Sequence, residues 1–236
     1  MATIGLIGGM SWESTAVYYR LLNEGVRERA GGLHSADILL HSLDFSPIAE
    51  MQASGNWAAA GAAMANSARR LESGGASCIV LATNTMHKLA DQITQATNLP
   101  FLHLADVTAK AIRRTESRRP LLLATRFTME QRFYRDRLGA FGVESLVPDE
   151  AEQAEVHRII YEELCRGRVE AASKARYREI VARAVREQGA DGVILGCTEI
   201  MLLVSQADFA VPAFDTTALH VEAALDFAAE LAREAA

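Results

Sequence analysis

A chain of 236 residues, half of them apolar, can bury one large core or two smaller ones, and a mean hydropathy near zero describes a globular protein. Its 24 basic and 30 acidic residues leave a net charge of -6, so there is no basic surplus to neutralise nucleic-acid phosphates or hold an anionic membrane. No stretch approaches the roughly 18 uninterrupted apolar residues of a membrane span, and "MATIGLIGGMS" lacks a charged leader with a cleavage site. The three cysteines, Cys78, Cys165 and Cys197, show no CxxC spacing and fit a reducing compartment, so a cytoplasmic protein is expected.

Read in chain order, short β-branched or leucine-rich runs alternate with helical patterns. "TIGLIGG" precedes a helix over 12–30, "DILLHSL" one over 57–73, and "CIVLAT" one over 86–96. "FLHL" leads to a helix from about 105, "PLLLAT" to one from about 128, "ILGC" to a short one from 198, and "VPAFD" to a last helix over 217–234. Residues 150–166 and 170–187 form two successive helical patterns that break at Gly167 with no strand between them. The alternation predicts an α/β fold, with parallel sheets flanked by helices on both faces.

The chain also resembles itself. An offset of 114 pairs "GASCIVLATNT" with "GADGVILGCTE", setting Thr83 against Cys197 and Asn84 against Thr198. An offset of 116 pairs "GLIGGMS" with "LLLATRF", and one of 112 pairs "LPFLHL" with "VPAFDT". Three matches in the same order predict two pseudo-symmetric lobes. Ligands of α/β sheets sit beyond the strand C-termini, so an active site is expected in the interlobe cleft, with Thr83 and Cys197 on opposite sides of it.

Cys197 follows a strand and precedes the polar pair Thr198 and Glu199, where free N–H groups and a helix dipole would favour a thiolate and lower its pKa. Cys78 reads as a core residue, and Cys165 as a structural residue near a helix end. The glycine run "GLIGGMS" lacks both the G-x-G-x-x-G spacing and the acidic partner of a dinucleotide site. It serves either a close approach of backbone to a small ligand or a tight turn, with Ser11 as N-cap. The six histidines show no ligand spacing, so no metal is expected, and His87 reads as a solvated helix residue four positions after Thr83.

Taken together, "GLIGGMSWEST", "TNTMH", "LLATRFTM" and "GCTEI" resemble the aspartate/glutamate racemase family over nearly the whole chain. The resemblance implies an isomerase that needs neither pyridoxal phosphate nor any other cofactor, acts on a small-molecule amino acid, and forms a homodimer. It also implies a first lobe of 1–100 plus 210–236 and a second of 101–209. In the family two cysteines exchange protons with opposite faces of the α-carbon. Cys197 matches the second and is the base expected to act on the L-isomer; Thr83 stands where the first would be, which implies one-sided catalysis favouring L-substrates.

Asn84, Thr85, Thr125 and Thr198 match positions that hold the α-carboxylate, and Met10, Gln52 and Glu199 complete the expected substrate-binding set. The family's arginine and lysine anchors for a side-chain carboxylate align with Ile48 and Cys165, which leaves the accepted side chain open. Two other activities fit a single cysteine on such a scaffold, a decarboxylase and a cis-trans isomerase of the same superfamily. A non-catalytic amino-acid-binding protein is the third alternative.

Overall fold

A computed structural model describes residues 2–234. In chain order the elements are β1 (Ile4–Gly8), α1 (Trp12–Ala30), β2 (Ile38–Ser42), α2 (Phe45–Ala53), α3 (Trp57–Ser73), β3 (Cys78–Leu81), α4 (Ala90–Ala96), β4 (Phe101–Leu102) and α5 (Leu104–Arg113). They continue with β5 (Leu121–Ala124), α6 (Arg126–Glu130), α7 (Arg132–Ala140), α8 (Glu150–Glu162), α9 (Ala171–Gln188), β6 (Val193–Gly196), β7 (Ala213–Asp215) and α10 (Thr216–Glu234). Short 3-10 turns over Thr85–Leu89 and Ile200–Leu202 follow β3 and β6. The chain divides into two compact units, one running to His103 and resuming at His220, the other spanning Leu104–Leu219.

The first unit is built on a parallel sheet in the order β2-β1-β3-β4. Alternation along its inner strands separates two cores. Ile4, Leu6, Cys78 and Val80 pack with Tyr18 and Leu22 of α1 and with Val221, Ala224 and Leu225 of α10. Ile7, Ile79 and Leu81 face the other way, against Met64, Ala68 and Leu71 of α3 and Ile93 of α4. Both faces of the sheet are thus covered, as a parallel sheet requires.

Gly9, just past β1, has φ 91°, and a Cβ there would lie 2.1 Å from the Leu43 carbonyl oxygen. The glycine run therefore serves a tight turn against the loop after β2. Ser11 caps α1, its hydroxyl accepting from the Ser14 N–H at 3.4 Å.

The second unit carries the parallel sheet β5-β6-β7, with one core drawn from all three strands and from α5, α7, α8 and α9. Asp191 fastens the approach to this sheet. It accepts from the Ser117 hydroxyl at 2.7 Å and from the Arg118 and Arg119 backbone N–H groups at 2.7 and 2.9 Å. Arg176 and Arg183 of α9 pair with Glu155 and the buried Glu152 of α8, tying the two helices together.

The sheet registers repeat the sequence offsets. Gly5 pairs with Ile79 and Ile79 with Phe101, as Leu121 pairs with Val193 and Val193 with Ala213. Adding 116 to 5, 114 to 79 and 112 to 101 converts the first set into the second. Gly75 and Gly189, matched at the same offset, both take positive φ where the chain leaves a helix, 91° and 69°.

Four local expectations are corrected. The helix α2, capped by Asp44 onto the Ser46 N–H at 3.1 Å, has no counterpart among the predicted elements. The helix expected from about 128 is two helices broken at Gln131, whose backbone is extended. The short helix expected from 198 is a three-residue 3-10 turn. Finally, residues 210–219 stand with the second unit, because β7 bonds to β6 and Phe214 enters that core. Among the described residues no helix is long and apolar enough to cross a membrane.

Candidate active site

Most of the polar residues singled out by sequence lie just beyond strand C-termini, where α/β sheets place ligands: Thr83–Thr85 after β3, Thr125 after β5 and Cys197–Glu199 after β6, while Gln52 sits on α2. In the first unit the chain turns sharply after β3. The Ala82 N–H still bonds to the Ile7 carbonyl at 2.9 Å, while the Thr83 N–H folds back to the Leu81 carbonyl at 2.9 Å. Thr83, Asn84 and Thr85 follow in succession, all buried. Met10 is buried in the core beneath α3, and the Gln52 amide donates to the Met86 sulfur at 3.0 Å.

His87 is buried rather than solvated, which corrects the sequence reading. Its Nδ1 lies 2.7 Å from the Thr83 carbonyl oxygen; a carbonyl only accepts, so Nδ1 carries the proton. The ring packs against His103 at 4.7 Å and His220 at 5.7 Å between centroids. His220 donates from Nε2 to the Leu102 carbonyl at 3.1 Å, which leaves Nδ1 to accept from the Tyr18 hydroxyl at 3.0 Å. Burial, then the neighbouring His87, push His220 down to about 3 against the pull of the Leu102 carbonyl, so it stays neutral. This histidine group was not foreseen from sequence. The usable signals were the i+4 spacing from Thr83 to His87 and the place of His103 immediately after a strand.

In the second unit Thr125 follows β5, buried, with its hydroxyl 3.3 Å from that of Thr128. Cys197 immediately follows β6 and is 8% exposed. Its Sγ donates to Glu199 Oε2 at 2.9 Å, and the Thr198 hydroxyl donates to the same oxygen at 2.9 Å. Both Thr198 and Glu199 are buried.

The expectation of a lowered thiol pKa is overturned. Burial, followed by the Glu199 carboxylate and by Cys165, holds Cys197 well above the ordinary thiol value. The following 3-10 turn is too short to supply the helix dipole that the sequence suggested. Cys165 is half-buried against this core, and Tyr161 and Tyr177 are raised by burial and then by the charge Cys197 would carry. Cys78, by contrast, lies deep in the first unit, its thiol pushed up to about 11 by burial.

A buried thiol beside a carboxylate is equipped to move a proton to or from carbon, and hydroxyls and amides at strand ends suit a carboxylate ligand. Among the described residues no three His, Cys, Asp or Glu side chains are grouped to hold a metal ion.

Comparison with known proteins brings this arrangement into a family context. The Asp/Glu/Hydantoin racemase family matches residues 7–224. A Yersinia pestis protein, provisionally assigned as an Asp/Glu racemase, is 50% identical over 97% of this chain and 100% of its own, with a TM-score of 0.89. An aspartate racemase homologue from Pyrococcus horikoshii is 33% identical over 97% of this chain and 100% of its own, with a TM-score of 0.85. The broad specificity amino-acid racemase RacX of Bacillus subtilis is 26% identical over 159 residues, 66% of each protein.

Proposed function

Since the chain belongs to the Asp/Glu/Hydantoin racemase family, we propose that it inverts the α-carbon of an amino acid without a cofactor, with Cys197 and Thr83 serving opposite faces. Cys197 removes the α-proton of the L-isomer. The electron pair left on carbon spreads into the α-carboxylate, held by Asn84, Thr85, Thr125 and Thr198, while Met10 and Gln52 line the rest of the site. Thr83 returns a proton to the other face. An alcohol does not ionise near neutral pH, so its hydroxyl must gain a proton from water as it gives one to carbon.

The observation that carries this reading is the buried Cys197 thiol at the end of β6, joined to Glu199 at 2.9 Å. A core cysteine has no need of a carboxylate partner, whereas a thiol that must gain and lose a proton does. The Thr83 hydroxyl, a poor base, supports the preference for L-substrates. The protein is proposed to work as a cytoplasmic homodimer, as the family resemblance implies.

The test is a screen of L- and D-amino acids in D2O by proton NMR. Loss of the α-proton signal, followed by appearance of the opposite enantiomer on chiral chromatography, is the expected result. Release of CO2 from a malonate without α-exchange would favour the decarboxylase. Binding of an amino acid without exchange would favour the non-catalytic binder.

A further inference from the structure

The thiol of Cys197 rests protonated, yet removing a proton from carbon needs the thiolate. We propose that Glu199 is the group that takes the Cys197 proton, so that the two residues act as a dyad; this inference rests on the racemase reading above. Glu199 is placed for it: Oε2 is 2.9 Å from Sγ, and the carboxylate is buried with Cys197 rather than turned to solvent. The Thr198 hydroxyl donates to the same oxygen at 2.9 Å, which fixes that oxygen toward the sulfur.

Cys165, Tyr161 and Tyr177 are also coupled to Cys197, and none of these three is a cation. Glu163, which acts on Tyr177, is occupied by Ser173 at 2.5 Å and Arg158 at 2.8 Å. Among the described residues, Glu199 is the carboxylate to which the sulfur donates.

The proton balance closes. The S–H bond breaks as an O–H bond forms on Oε2, giving a thiolate beside a neutral acid. The thiolate then takes the α-hydrogen, and its electron pair stays on the substrate carbon. Thr83 delivers a proton drawn from water, and Glu199 gives its own to water that enters as the product leaves, restoring thiol and carboxylate. Moving the negative charge from oxygen to sulfur also directs it at the α-hydrogen.

Glu199→Gln keeps size and polarity but cannot accept a proton. Two readouts are measured on it and on the wild type: the pH midpoint of Cys197 alkylation by iodoacetamide, followed by peptide mass mapping, and L-amino-acid α-proton exchange in D2O. Loss of the adjacent negative charge is expected to move the midpoint to lower pH. Exchange is nevertheless expected to fall by about 10²–10⁴ in kcat, the range typical of a proton-transfer group, with little change in KM. Glu199→Asp should restore part of the rate.

A Gln variant that exchanges as fast as wild type, or faster because more thiolate is present, would overturn the dyad. So would an unchanged alkylation midpoint, which would mean that the carboxylate does not act on the sulfur. A wild-type protein that exchanges no amino acid would overturn the racemase reading and the catalytic role of Glu199 with it, while the alkylation midpoints would still report whether the contact exists.

Discussion

The Nδ1–H of His87 is bonded to the main-chain carbonyl of Thr83 at 2.7 Å, closing one turn of chain around the residue assigned to the second face of the substrate. The bond holds the backbone of Thr83 rather than its hydroxyl, so His87 is a positioning residue. Replacing it by leucine removes the donor and should lower inversion of an L-amino acid about tenfold or more, with α-exchange from the Cys197 side largely kept. His87→Asn retains an N–H near the Nδ1 position and should recover much of the inversion rate. Chiral analysis and NMR exchange on the same samples measure the two rates.

Thr83 and Cys197 should separate exchange from inversion. The two enantiomers of a free amino acid have equal energy in water, so kcat/KM for net inversion must be equal in both directions. One-sidedness has to appear elsewhere. L-substrate in D2O should gain deuterium with retention faster than it inverts, because the thiol side reprotonates more readily than the alcohol side. With D-substrate, deuterium should enter only as fast as inversion proceeds. Thr83→Ala should abolish inversion yet leave exchange into L-substrate, whereas Cys197→Ala should abolish both.

His220 makes the first unit sensitive to acid. Its folded pKa, about 3, lies below the ordinary value of 6.5, so between those values the unfolded chain binds the extra proton. The stabilisation is complete above pH 6.5 and is lost as pH falls toward 3. At roughly 1.4 kcal/mol per pH unit, the loss between pH 6.5 and 5 should be about 2 kcal/mol. Urea unfolding at pH 5, 6 and 7 should show it, and His220→Gln should flatten the dependence. An unaltered slope in that variant would assign the acid sensitivity to another group.

Gly9→Ala should be severely destabilising. A Cβ at this position would meet the Leu43 carbonyl oxygen at 2.1 Å, and the positive φ adds strain of its own. Backbone on backbone cannot yield as a flexible side chain can, so a loss of about 3 kcal/mol or more is expected. Gly139→Ala, with nothing within 4 Å of its Cβ and an ordinary helical backbone, is the control and should be neutral or slightly stabilising. Thermal melts of the two variants against wild type decide it.

Strand positions and registers were legible because buried parallel strands write themselves as apolar runs with glycine or polar ends. The offsets that aligned Gly75 with Gly189 and Thr83 with Cys197 also matched the hydrogen-bonded partners of both sheets. What escaped depends on partners distant in sequence. His87 sits in a polar stretch that looks solvated, and only the packing of His103 and His220 around it reveals that it is buried. The ionisation of Cys197 was misjudged because position after a strand suggested a helix dipole, while the outcome was set by burial and by the rotamer that brings Glu199 to the sulfur.

The first unit draws its sheet from the beginning of the chain and much of one covering layer from the end. Until α10 has been made, the side chains of Ile4, Leu6 and Val80 lack the leucine and alanine surface that completes their core. During synthesis the continuous second unit therefore has all its strands before the earlier unit can close. A chain cut short near residue 219 would hold every strand of the second unit while leaving the first unit's sheet open and adhesive, a form suited to chaperone capture or self-association.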